Sequence, residues 1–415
     1  MNRRKSTYGF AAVALLTAAL LSACGSSDKD SDATDVSTAV PADAKSADPS
    51  LAPVKIGFHN LEGGQFSLTD MRKGFESAVD YVNRELGGVN GHPLEAVVCK
   101  TDVTPESSVN CANKFVSDDV VMAVQGVDFA GDAALPVLQQ AGIVDVSAFA
   151  YGPAENVAVG DAFISMASNE EGYAAGLVQL KNMGAKSIAV VLADVPPNHT
   201  VMDEVVKPTG AELGIEIEPF FYPSPTDWTS FGATVLASKA DAITFWGVDA
   251  DCLAAVPAFR SLGFTGTIHA GSCAVLADKL DPSSLKDVIV ANSLYNPTMD
   301  PIPAASKDDL DVYKRYSADD DVSNQNQSIQ GFHTAMFAYS LLAQVKGEVT
   351  ASSVKATAAT ATGDLFFREV GYDCATPTWP GTTACSGGFV FTEVNAAGKN
   401  EVLPDQPVDV ASALD

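Results

Sequence analysis

The side chains best suited to acid–base, nucleophilic or metal chemistry are thinly spread in this chain. Its five histidines, His59, His92, His199, His269 and His333, include no i, i+4 pair that would share a metal on one helix face. No GxxxxGKS/T, GxSxG or HExxH stretch occurs, and no GxGxxG follows a strand. No catalytic set can be assembled, so the sequence calls for no enzyme activity, no metal and no cofactor. His59, just where the first strand ends, is placed either to line a site or to bond local backbone. His333, inside a helix, reads as core.

The seven cysteines say more about compartment than about catalysis. Cys24 closes the run Leu21-Ser22-Ala23-Cys24, which follows a basic start (Arg3, Arg4, Lys5) and the apolar stretch Tyr8–Leu21. That order resembles a bacterial lipoprotein signal, in which cleavage leaves a lipidated Cys24; the alternative is an ordinary secretory signal with a chance cysteine. Residues 1–23 are thus the expected signal peptide. Residues 24–52, rich in Ser, Asp and Ala, form a lipid-anchored tether rather than a domain. The other six cysteines, an even number outside the cytoplasm, argue for disulfides. Many connectivities are possible, and pairing of sequence neighbours (Cys99 with Cys111, Cys252 with Cys273, Cys374 with Cys385) is the simplest. A metal site is disfavoured, since there is no CxxC and only His269 lies near any of them. The net charge is −27, and losing three cations with residues 1–23 takes it to −27 − 3 = −30. Such a chain repels nucleic acid.

Apolar runs alternate with helical spacing along the rest. Val54–Phe58 and Leu94–Cys99 read as strands. Met71, Phe75, Val79, Val82 and Leu86 mark a helix between them. Val120–Tyr151 then reads as strand, loop, helix (Ala130–Gln140), strand and loop, with Gly142 at the helix C-cap. A second set follows from Ala162–Met166 through Ser187–Leu192, Ile215–Phe221, Ala242–Trp246 and Val288–Ala291. A late helix spans Ser328–Val345, and residues 364–395 read as hairpin-like β. Alternation of this length implies two α/β sets with doubly wound parallel sheets. Ligands of such sheets bind at the edge where the strands end.

Taken in order, several stretches resemble the type I periplasmic binding proteins of the leucine/isoleucine/valine-binding group, the solute receptors of ABC importers. They include VKIGFHNLEGGQ, VMAVQGVDFAGDAALPVLQQAGIVDVSAFA, FISMASNEEGYAAG, SIAVVLADVPPNHT, YPSPTDWTSFGATVLASKADAITFWGVDA and GFHTAMFAYSLLAQV. The resemblance covers about residues 53–395. It implies two lobes joined by a three-crossing hinge: 53–160 with 293–360, and 161–292 with 361–395, leaving 396–415 as a C-terminal tail. The ligand would lie between the lobes.

The resemblance also places ligand contacts in the loops after the strands. The first-lobe loops hold Asp128, Phe129, Ser147, Ala148, Phe149 and Tyr151 where amino-acid binders offer hydroxyls to the ligand carboxylate. In the second lobe, the loop after Asp194 lacks the expected tyrosine, and Ser272 falls near the position of the acid that holds the ammonium. Most of the amino-acid recognition set is missing, and aromatics replace it. An apolar or aromatic organic ligand is expected in place of a branched-chain amino acid. His59, Gln65, Trp246, Gly247 and Asp249 complete the candidate set, with Glu62 a further polar candidate. Trp246 faces either ligand or core, and Asp128 and Asp249 either orient a polar group or cap turns. The implied protein is a lipid-anchored monomer on the outer face of the cell membrane that hands a small organic solute to ABC permease subunits. A sensor of the same fold reporting to a membrane receptor is the second reading, and an amino-acid or amide carrier a third.

Overall fold

Strands in this chain are short apolar runs with little alternation, and helices cover both faces of the sheets they form. The structure, a computed structural model, describes residues 40–63, 67–158, 162–271, 273, 275–318, 321–395 and 398–414. Cys24, Gln65 and Ser272 lie outside the described residues. Five strands, β1 (Val54–Leu61), β2 (Leu94–Thr101), β3 (Met122–Gln125), β4 (Asp145–Phe149) and β5 (Phe163–Ala167), form an all-parallel sheet in the order β2-β1-β3-β4-β5. The second sheet is built from β6 (Ser187–Ala193), β7 (Glu216–Tyr222), β8 (Ala242–Phe245), β9 (Thr267–His269), β10 (Val288–Asn292) and β11 (Met299–Asp300). A small antiparallel pair, β12 (Thr362–Gly363) and β13 (Tyr372–Asp373), stands apart, before β14 (Val390–Val394) and β15 (Asn400–Val402) join the second sheet. Its order is β11-β15-β14-β10-β9-β8-β6-β7, with β14 antiparallel to both neighbours. The alternation demanded parallel sheets wrapped by helices: the first sheet is parallel throughout, and the second is parallel from β10 to β7 with β14 added antiparallel beside β10.

The crossings fall at different residues from those expected. β5 pairs with β4, so the first crossing comes after Ala167 and not at residue 161. Helix Asn169–Asn182 then buries Ala174, Leu177 and Val178 in the second lobe. The chain passes back with Leu294 in the first core, yet Tyr295 and Met299 pack with Val390, and β11 pairs with β15. Leu365, Phe367, Tyr372 and Cys385 belong to the first core, so the last crossing lies between Cys385 and Phe389, well past residue 361. The expected C-terminal tail is also corrected: β15 adds to the second sheet, and Val408 and Val410 are buried in its core. Open sheet edges and apolar side chains recruit these segments.

Local chemistry accounts for the helix limits. The helix expected over Ala130–Gln140 is split into a 3-10 turn, Gly131–Ala133, and a helix, Leu135–Ala141, that carries Pro136 in its first turn, where its missing N–H costs nothing. Gly142, at φ 71°, ends it as read from the sequence. In the first core, helices Thr69–Glu85 and Gln325–Leu342 approach closely at two glycines. A Cβ on Gly74 would stand 1.8 Å from the Ser328 carbonyl oxygen, and one on Gly331 1.8 Å from that of Met71. Phe58 stacks on Phe75 beneath them at 4.0 Å. All three disulfides join sequence neighbours, with Cα separations of 5.5 Å (Cys99–Cys111), 6.3 Å (Cys252–Cys273) and 4.2 Å (Cys374–Cys385). Among the described residues no helix is long and apolar enough to cross a membrane.

Candidate ligand cleft

The ends of the strands, the starts of two long helices and all three crossings converge on one cleft of about 460 Å³. Its first-lobe wall is Phe149 at the end of β4, Tyr151 two residues on, and Asn326, Ile329 and Gln330 at the start of helix Gln325–Leu342. The second-lobe wall is Asn169, Gly172 and Tyr173 in the first turns of helix Asn169–Asn182, with Trp246 just past β8. The crossings supply Ser168, Asn292, Ser293, Leu294, Asn296 and Phe389.

Each wall is set from behind. Tyr173 and Trp246 lie 4.5 Å apart between ring centroids at 47°. Gly172 leaves room beside them: a Cβ there would meet Phe389 at 3.3 Å and Trp246 at 3.8 Å. Gly271, at φ 50°, lets the backbone turn close under the indole, since a Cβ would stand 3.0 Å from it. The indole edge also packs on His269 at 5.3 Å. Burial pushes the pKa of His269 down to about 3, so the ring is neutral, and it bonds the Thr244 hydroxyl at 2.9 Å.

On the other wall, Phe149 packs against both lobes' cores. The Tyr151 and Gly152 N–H groups donate to the Glu155 carboxylate at 2.7 and 3.1 Å, and the Gln125 amide donates to it at 3.3 Å. Burial pushes Glu155 up to about 7. The loop carrying Tyr151 is thus held by one buried acid. Phe129 meets the Tyr151 ring edge-on at 5.7 Å and is 61% exposed at its own position. Two bonds tie the lobes here: the Asn169 amide donates to the Ala150 carbonyl at 2.8 Å, and the Asn156 amide to Glu170 at 2.6 Å.

The last crossing is pinned by two buried ionisable side chains, Arg368 and Glu171. The Arg368 guanidinium donates to the Gly387 and Gly388 carbonyls, while Glu171 accepts from the Gly388 N–H at 3.3 Å and the Thr378 hydroxyl at 3.0 Å. Burial pushes Glu171 up to about 7 and Arg368 down to about 10, each partly offset by the other's charge.

Of the residues read from the sequence, Phe149, Tyr151 and Trp246 line the cleft. His59, Asp128 and Ser147 do not reach its wall. They are buried inside the first lobe: alternation along β1 and β4 turns His59 and Ser147 away from the face that packs the first core, and Asp128, in the loop after β3, is held under the helix Pro105–Ser117 by Ser108. His59 bridges Asp128 at 3.1 Å and Asp145 at 3.0 Å, the Ser108 hydroxyl donates to Asp128 at 2.7 Å, and the Ser147 hydroxyl donates to the Gln125 carbonyl at 3.1 Å. Ala148 is buried in the first core. Asp194 is exposed and paired with His199 at 2.8 Å. Gly247 and Asp249 are exposed beyond Trp246, Asp249 in the first turn of helix Asp249–Ser261. The stretch read from Asp128 to Tyr151 thus gives the cleft two rings, Phe149 and Tyr151, with a polar network behind them.

Sequence reading missed Tyr173, Asn169, the crossing residues and the start of the late helix. Tyr173 stood in plain view in the stretch FISMASNEEGYAAG. The asparagines carried no signal, because isolated amides are common in loops. Among the described residues no group of three or more His, Cys, Asp or Glu is placed to hold a metal.

Two parallel α/β lobes joined by three crossings around a cleft define a solute-binding clamp. The periplasmic binding protein family model matches residues 53–399, and the chain belongs to that family. Solved structures give the same fold. An ABC transporter substrate-binding protein from Aeropyrum pernix is 14% identical, with a TM-score of 0.69, over 87% of this chain and 98% of that one. The branched-chain amino acid substrate-binding protein of Streptococcus pneumoniae, in complex with isoleucine, is 16% identical with a TM-score of 0.62, over 85% and 99%. An ABC transporter solute-binding protein from R. palustris, in complex with 4-hydroxybenzoate, is 18% identical with a TM-score of 0.64, over 86% and 98%. No curated protein matches the chain in the sequence comparison. The family and these neighbours are solute-binding proteins.

Proposed function

We propose that this protein captures a small organic solute between its lobes and delivers it to the permease of an ABC importer, tethered to the membrane through a lipidated Cys24. The observation that carries the reading is the convergence of both lobes and all three crossings on one cleft with aromatic walls (Phe149 and Tyr151 facing Tyr173 and Trp246). A ligand touching both walls favours the closed arrangement by its difference in affinity for the two states, and a permease can read that difference. The proposed ligand is not leucine, isoleucine or valine, since the hydroxyl and acidic positions of the amino-acid set are missing from this sequence.

The test is a metabolite-library thermal shift on the purified domain. A true ligand raises the melting temperature in proportion to the logarithm of its concentration. Tight binding of a branched-chain amino acid would refute the ligand argument. Cys24→Ser is expected to move the protein from the membrane fraction to the soluble one, and retention would refute the anchor.

A further inference from the structure

Among its described residues the cleft wall offers a ligand no charge: they include no Asp, Glu, Lys, Arg or His. The two helix N-termini that open on it would ordinarily attract an anion, but each already has a carboxylate of its own. Helix Asn169–Asn182 carries Glu170 and Glu171 in its first turn. At helix Gln325–Leu342, Asp70 accepts from the Ser323 and Asn324 N–H groups at 3.0 and 2.8 Å and from the Ser323 hydroxyl at 2.6 Å. With a chain net charge of −27, an anionic ligand finds no compensating cation. A cationic ligand has no carboxylate in the wall, and a zwitterion lacks both partners.

What the cleft holds instead is amides beside rings. Asn169, Asn292 and Asn296 use one end of their side chains within the protein: Asn169 donates to the Ala150 carbonyl, Asn292 to the Val290 carbonyl at 3.2 Å, and Asn296 accepts from the Thr298 N–H at 3.0 Å. That fixes each amide and leaves the opposite end for a ligand. Asn326 and Gln330 add two more on the facing wall. A carboxamide both donates and accepts, so it matches neutral groups of the same kind: amides, lactams, hydroxyls and heterocyclic edges.

Building on the importer reading, we infer that the cleft selects an electrically neutral aromatic solute bearing amide-type or hydroxyl groups, and that it discriminates against charged analogues of the same shape. Burial of an unpaired charge against these walls is the discriminating penalty. The ring stacks between Tyr173–Trp246 and Phe149–Tyr151, and the asparagines and Gln330 orient its polar edge.

The test uses two matched trios at pH 7: 4-hydroxybenzamide, 4-hydroxybenzoate and 4-hydroxybenzylamine; and indole-3-acetamide, indole-3-acetate and tryptamine. Binding to the full chain is read by calorimetry and thermal shift. The neutral member of at least one trio should bind tighter than both charged partners by at least about tenfold, a difference of ~1.4 kcal/mol. A charged member binding as tightly as its neutral analogue would overturn the inference. So would the absence of binding by all the probes at millimolar concentration. A small-molecule extract of bacterial cells is run alongside. If it raises the melting temperature while no probe binds, the neutral-aromatic assignment fails and the receptor reading stands; if it too has no effect, both fail.

Discussion

The buried His59 predicts an alkaline loss of stability whose size follows from its surroundings. His59 is 1% exposed and sits between Asp128 and Asp145. Burial alone would lower its pKa, but the Coulombic pull of Asp145 and the bonds to Asp128 and Asp145 outweigh it and raise the value to about 10 from 6.5. The folded protein therefore keeps a proton that the unfolded chain releases above about pH 6.5. The contribution is complete below the unfolded pKa and is lost as pH rises through the folded one. At ~1.36 kcal/mol per unit, about 2 kcal/mol is lost by pH 8 and roughly 4–5 kcal/mol by pH 10. Urea unfolding of the wild type and His59→Gln at pH 6, 8 and 10 measures this directly. The variant should be less stable at pH 6 by about 3–5 kcal/mol, since it leaves two buried carboxylates without their cation. Its curve should also converge on the wild type as pH rises, because other titrations are common to both proteins. Parallel curves would refute the reasoning. Should the variant not fold, Asp145→Asn, which removes one source of the raised pKa, must flatten the same pH dependence.

Further predictions concern the loop behind the cleft, the helix contact, the aromatic wall and the disulfides. Glu155 is raised from 4.5 to about 7, so its folded form holds a proton over that window and stability falls as pH climbs through it. Glu155→Gln should remove that fall and gain on the wild type between pH 5 and pH 8 by up to ~3 kcal/mol, measured by urea titration at both. Gly331→Ala should destabilise by about 1–3 kcal/mol in the same assay, because its methyl meets the Met71 carbonyl; an unchanged midpoint would show that the helices separate freely. Trp246→Ala should weaken binding of any cleft ligand by more than about tenfold, read by calorimetry, while far-ultraviolet dichroism stays unchanged. Removing the Cys99–Cys111 bridge with paired serines should cost about 3 kcal/mol in denaturant unfolding, the loop-closure value for a separation of 12 residues.

The order of elements was written in the chain. Strand-length apolar runs alternating with helices define parallel sheets whatever the surroundings, since periodicity is a local property. Cysteine proximity was equally local, and all three neighbour pairs formed. The stretch from Val120 to Tyr151 was legible as a binding edge because the ends of its two strands open there. Two of its aromatic members, Phe149 and Tyr151, line the cleft, whereas the third, Phe129, stands exposed outside its wall.

Other features needed the third dimension. Whether His59 and Asp128 faced a ligand or one another depended on how β1 and the loop after β3 were covered, and the helix Pro105–Ser117, through Ser108, decided that. The crossings moved because β5, β15 and the segment at Leu365–Tyr372 followed edges and cores contributed by residues far away in sequence. The amides of the cleft, from Asn169 to Gln330, are brought together across 161 residues of chain (330 − 169). Local residue patterns determined two α/β sets with aromatic rings near the ends of their strands, and the family resemblance implied that these sets form a clamp. Only long-range packing decided which polar groups join those rings, because a cleft between two lobes is made from the ends of segments that never meet along the chain.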